Sequence, residues 1–145
     1  MFKLKRILNK SHNAPEIETM TVIQDISANK DCIYHLMNGQ LCTYSMDDQK
    51  TGLLYLALDG VDNYEFGDRT IRCFRITPDM IFEVTASASS VSPGQRFQLV
   101  DSDNSGYSGI RILSTTDTES SDGFVYDTSD FSESKKIYIR FHCKQ

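Results

Sequence analysis

The dominant hydrophobic period along this chain is two. In "KIYIRFHC", residues 136–143, Ile137, Ile139, Phe141 and Cys143 share one face, and Tyr138, Arg140 and His142 share the other. "QRFQLV" sets Phe97 and Leu99 against Arg96, Gln98 and Val100, and "MIFEV" sets Met80, Phe82 and Val84 against Ile81 and Glu83. "GIRIL" places Ile110 and Ile112 together, and "MTVIQDI" and "TIRCFRI" add two further candidates. "LLYLAL", Leu53 to Leu58, is almost continuously apolar, the pattern of a strand covered on both faces. No segment keeps a helical apolar period over three turns.

Turn residues separate these runs: Asn38-Gly39, Asp59-Gly60, Gly67-Asp68, Pro78-Asp79, Pro93-Gly94 and Asp122-Gly123. Asn38-Gly39 is a two-residue hairpin signal, because both positions must accept positive φ. It predicts Leu36 opposite Leu41 and His35 opposite Cys42. Nine or ten short strands of this kind predict an all-β fold, a compact antiparallel β-sandwich or β-barrel. "STTDTESSDG" and "DTSDFSESKK" carry little apolar area and are expected as long surface loops. The division expected is an extended N-terminal arm over residues 1–19 and a single β domain over 20–145.

At 145 residues the chain is long enough to bury roughly 68–70% of its unfolded surface without metal or disulfides. It has no apolar run of membrane-spanning length. Its N-terminus lacks a signal-peptide pattern, so an unprocessed product of the cytoplasm is expected. Charge is unevenly placed. Lys3, Lys5, Arg6 and Lys10 stand in the first fifteen residues with no acid, whereas the rest holds eleven basic residues against all twenty acids. An acidic body is a poor partner for nucleic acid, which asks for a clustered basic face. The arm, with Phe2, Leu4, Ile7 and Leu8 among its basic residues, suits docking on a partner's sheet edge.

Candidate chemistry is sparse. Asp101, Asp103, Ser105 and Gly106 stand at the first, third, fifth and sixth positions of an EF-hand-like loop, but the twelfth is Ile112, which cannot ligate. No calcium is expected there. "GYSGI" around Ser108 lacks the final glycine of a nucleophile elbow. His35 beside Cys42 offers a thiol and a base, or two of zinc's four ligands, and a structural pair is the simpler reading. Tyr44, Tyr64 and Tyr107 are candidates for a sugar-binding platform, with half-buried strand positions as the plainer expectation. No enzyme activity, cofactor or metal is expected.

Two passages carry a resemblance. "FKLKRILNKSHNAPEIETMTVIQDI", continuing into the Asn38-Gly39 hairpin, is an arm, a short strand and a hairpin. "IRCFRITPDMIFEVTASASSVSPGQRFQLV" is strand, Thr-Pro-Asp corner, strand, small-residue loop, Pro-Gly turn and strand. Together they resemble the small all-β head decoration (auxiliary capsid) proteins of tailed bacteriophages. The resemblance implies a structural virion protein made in the host cytoplasm. It would bind the outside of the capsid lattice and reinforce or decorate the head. The partners implied are the major capsid protein and further copies of the chain, with neither nucleic acid nor membrane. The implied anchor is the arm: Phe2, Lys3, Leu4, Lys5, Arg6, Ile7, Leu8 and Lys10. A carbohydrate- or receptor-binding β-sandwich module is the alternative.

Of the four cysteines, Cys32 and Cys42 fall on opposite strand faces by parity and cannot bridge each other. All four are expected as free thiols. Thiol counting on freshly purified, denatured protein without reductant should find four, and a lower count would contradict the assignment.

Overall fold

The computed structural model describes residues 1–8, 14–43, 53–62, 67–101, 105–117 and 120–142. Among these the expected all-β architecture holds. The strands are β1 (Lys3–Ile7), β2 (Glu18–Val22), β3 (Ile33–Met37), β4 (Gln40–Cys42), β5 (Leu54–Ala57), β6 (Thr70–Arg75), β7 (Met80–Thr85), β8 (Arg96–Asp101), β9 (Tyr107–Ile112), β10 (Gly123–Asp127) and β11 (Lys136–Phe141). The helical residues are one turn, α1 (Phe131–Ser134), closed by Lys135 at a φ of 61°.

Two compact units form, each from separated stretches of chain. Unit 1 takes Met1–Ala14, Thr77–Val100 and Gly109–Cys143; unit 2 takes Pro15–Ile76, Asp101–Ser108 and Lys144–Gln145. This differs from the expected arm over 1–19 and single domain over 20–145. Neither unit is continuous in sequence, so no linker or shift of composition marks the division. Unit 1 holds nine basic and eight acidic residues and unit 2 six basic and twelve acidic, which splits the net charge of −5 into +1 and −6.

Unit 2 is a closed ring of strands. β3 pairs with β4, β4 runs parallel to β2, β2 pairs with β6, β6 with β5, and β5 returns to β3. The hairpin is as predicted: Asn38 and Gly39 take φ of 51° and 76°, with His35 opposite Cys42 and Leu36 opposite Leu41. Alternation gathers Val22, Tyr34, Leu41, Tyr55, Ile71 and Cys73 into one buried cluster. Cys32 belongs to that cluster and Cys42, one residue beyond inward-facing Leu41, does not. β5 is buried at every position, which explains its unbroken apolar run.

Unit 1 is a sheet in the order β1-β7-β11-β10-β8, antiparallel throughout, followed by the part of β9 from Gly109. Its core turns on Phe141. The rings of Phe2, Phe82 and Phe97 meet it edge to face, at centroid distances of 6.2, 5.5 and 5.3 Å, the geometry aromatic quadrupoles favour. Gly123 lies between Phe97 and the backbone of β11, where a Cβ would come within 2.1 Å of the Arg140 carbonyl oxygen. Only glycine fits there.

The N-terminal segment is part of this sheet rather than a free arm. β1 pairs antiparallel with β7, Lys3 opposite Glu83 and Ile7 opposite Met80, and Phe2 and Ile7 are buried. Between Leu4 and Arg6 the register slips, so Lys5 is an extra residue with no partner of its own. That bulge moves the apolar phase from Phe2 and Leu4 to Ile7, and it hides the strand from a strict alternation test. β10 escapes the same test, since Phe124 and Tyr126 flank the core residue Val125 and the register slips again at Tyr126.

Burial of Phe2 in the Phe141 cluster makes the first residues structural. Phe2→Ala is expected to destabilise the protein by about 3–5 kcal/mol. Urea unfolding measures it, and an unchanged midpoint would show that the segment contributes nothing to the core.

Candidate functional site

The arm residues separate into two sets. Phe2 and Ile7 face the core, Leu4 and Leu8 are half-buried, and Lys3, Lys5 and Arg6 are exposed; Lys10 lies outside the described residues. The four apolar residues expected to meet a partner are therefore engaged, wholly or partly, inside unit 1. The charged ones line β1, whose single described partner is β7. Lys5 Nζ approaches Glu83 at 3.6 Å, and Lys136 reaches the same carboxylate at 3.9 Å. Lys3 and Arg6 make no ion pair among the described residues. A strand edge with lysines and a bulge is blunted against indiscriminate pairing, so the side-chain heads are what it presents.

His35 sits opposite Cys42 as expected, but its Nε2 engages the Tyr107 hydroxyl at 2.7 Å, and the two rings pack edge to face. All three side chains are buried. Burial pushes the Cys73 thiol up to about 11 and raises that of Cys32 as well, so these sulfurs are poor nucleophiles at neutral pH. Cys32, Cys42 and Cys73 form no disulfide among the described residues; Cys143 lies outside them.

Of the calcium-like loop, the side chain of Asp101 and residues 102–104 lie outside the described residues. The part that is described has a structural use. The Tyr34 hydroxyl donates to the Ser105 carbonyl oxygen and accepts the Asn29 backbone N–H at 2.7 Å. Gly106, at a φ of 104°, lies against the Tyr34 ring, where a Cβ would come within 2.5 Å of it. Among the described residues no three His, Cys, Asp or Glu side chains converge as metal ligands.

Arg69 is a second buried anchor of unit 2, only 5% exposed. Its guanidinium donates to the carbonyl oxygens of Ile23 at 2.8 Å, of Ile26, and of Asp62 at 3.3 Å. It gathers three loop carbonyls at one point, which suits the rigid fork of arginine rather than the point charge of lysine.

The exposed aromatic surface is not where sequence placed it. Tyr44 and Tyr64 lie outside the described residues, and Tyr107 is buried. Among the described residues Tyr126 of β10 is exposed and Phe124, Phe131 and Tyr138 are half-buried; Phe124 and Tyr126 share one cation. The Arg140 guanidinium lies 5.7 and 5.8 Å from their centroids, and the His142 ring lies 5.7 Å from that of Phe124. The tell-tale signal was "FVY", a short run of high β-propensity directly after Asp122-Gly123.

Comparison with protein-family models, with curated proteins and with solved structures finds no match to this chain. No described helix is long and apolar enough to cross a membrane.

Arg69→Lys keeps the charge but loses the fork. It is expected to destabilise the protein by about 1–3 kcal/mol, the cost of leaving buried acceptors unmet. Chemical denaturation checks this, and an unchanged midpoint would mean that the three carbonyls find other donors.

Proposed function

We propose that this protein is a structural component of a bacteriophage virion. It binds the outer face of the capsid lattice, with the major capsid protein as its partner, and reinforces or decorates the head. The observation that carries this reading is the charged edge of β1. Lys3, Lys5 and Arg6 are held on an ordered strand whose other face is anchored through Phe2 and Ile7. Because the strand backbone is already ordered, binding costs only the side-chain rotamers and not the ordering of the segment. The bulge at Lys5 interrupts the backbone register needed for strand addition. The contact is therefore electrostatic, between basic heads and an acidic lattice surface.

The division of charge supports the same contact. Unit 1, which holds the basic edge, carries +1, whereas unit 2 carries −6. An acidic lattice would favour contact with the first over contact with the second. The resemblance of the sequence to head decoration proteins supports the choice of partner.

Lys3→Glu combined with Arg6→Glu is the direct test, because both side chains are exposed and neither has a described ion pair. The melting temperature of the double variant is expected to stay within about 2 °C, as for most surface substitutions. Its occupancy on purified heads lacking the wild-type copy should fall at least about tenfold, as expected when attraction turns to like-charge repulsion. Wild-type occupancy should also fall as salt rises, because screening shortens from about 10 Å at 0.1 M to about 3 Å at 1 M. Full occupancy by the double variant would overturn the reading.

A further inference from the structure

Docking through β1 leaves the surface over β10 and β11 of unit 1 unused, and there one cation meets two rings. Phe124 of β10 stands directly opposite Arg140 of β11. The next residue out on the same face is Tyr126, the bulged position, which is 39% exposed. Arg140 lies against both rings, at 5.7 and 5.8 Å from their centroids. His142 extends the row, tilted by 31° against Phe124. The result is a strip of His142, Phe124, Arg140 and Tyr126, with a cation held among the rings.

Two features mark the strip as a receptor surface rather than simple cover for the sheet. The first is the state of Arg140. Its Nε donates to the Pro78 carbonyl oxygen at 2.9 Å, which with the two rings fixes the plane of the guanidinium. Among the described residues it has no carboxylate partner, and its two terminal nitrogens are neither hydrogen-bonded nor buried. The end-on fork of the guanidinium is thus preorganised and open, the arrangement that takes a carboxylate through two parallel bonds. The second is the commitment of nearby acids: Asp79, next to Pro78, accepts from the Thr77 hydroxyl, and Asp122 accepts from the Leu99 backbone N–H. Asp127 accepts from the backbone and hydroxyl of Ser129, and Asp130 accepts from the Tyr138 hydroxyl at 2.7 Å. None of these neutralises Arg140.

We propose that this strip binds a carboxylate-bearing sugar, a uronic- or sialic-acid unit of a glycan. Its carboxylate takes the terminal nitrogens of Arg140, and its apolar C–H face lies on the Tyr126 ring. One rigid pyranose supplies both groups that the strip lacks, an anion for the fork and a flat apolar face for the aromatic surface. A neutral sugar would leave the guanidinium unmatched. A nucleic-acid strand spreads its charge over successive phosphates and needs a row of free cations. Of the neighbouring cations, Arg96, opposite Phe124, already donates to the Asp117 carbonyl oxygen. The strip thus offers one site for one acid. Its position does not depend on which lattice, if any, the β1 edge meets.

The test is an amide-resolved NMR titration of the full chain with trigalacturonic acid and with sialyllactose. Maltotriose, the oligonucleotide dT8 and triglutamate are titrated alongside. At least one acidic saccharide is expected to shift the amides of residues 124–126 and 138–142, and maltotriose at equal concentration is not. Arg140→Gln and Tyr126→Ala should each weaken that binding about tenfold, the worth of one charge-assisted or stacking contact. Tyr126 is exposed, so its variant should keep the wild-type melting temperature and remain informative even if Arg140→Gln unfolds. Absence of shifts with both acidic saccharides would overturn the proposal. So would equal binding of maltotriose, unaltered affinity in Tyr126→Ala, or tighter binding of dT8 or triglutamate to the same amides.

Discussion

Hydrogen bonding along both edges of β3 is the constraint on which unit 2 depends. One edge is shared by β4, at Met37 to His35, and by β9, at Ile33, while the other takes β5 from Ile33 to His35. Because β5 returns to β3, five strands close on themselves and leave no unpaired edge within the ring. Closure also dictates the sequence of β3. Tyr34 and Leu36 must pack inward with Leu41 and Tyr55, and Ile33, His35 and Met37 are buried on the opposite side. A buried histidine in that outer set needs a polar partner, and Tyr107 of β9 supplies it.

The same closure explains the polar residues at the ends of the ring. Loops that cross a closed barrel carry backbone groups away from water, and each needs a partner. Tyr34 serves the Asn29 amide and the Ser105 carbonyl, and Arg69 serves the carbonyls of Ile23, Ile26 and Asp62. What the sequence offers as a calcium-like motif is, in its described part, a device for satisfying backbone, and Arg69 is another. Unit 1 solves a different problem, since its sheet is open at β1. Charge and a bulge blunt that edge while the Phe141 cluster holds it in place.

Much of the fold was legible along the chain. β2 to β9 and β11 follow alternation and turn chemistry closely, and the Asn38-Gly39 hairpin falls in the register its turn type demands. The two strands that escaped notice, β1 and β10, both contain a bulge. One extra residue inverts the apolar phase, so a strand that is continuous in space reads as two fragments in sequence. The candidate surfaces suffered for the same reason. A bulge placed Tyr126 beside Arg140, and another let Ile7 join Phe2 in the core, turning an expected arm into a strand.

Sequence by itself determined that this is an all-β protein, which unbulged segments are strands, and where the tightest hairpin turns, because side-chain alternation and positive-φ turns are local properties. Only the tertiary structure decided that two units form and that Phe2 belongs to the core. Only it could bring Arg140 against two aromatic rings of another strand, with no carboxylate partner among the described residues. Those outcomes depend on pairing between residues far apart in sequence, whose register no local pattern records.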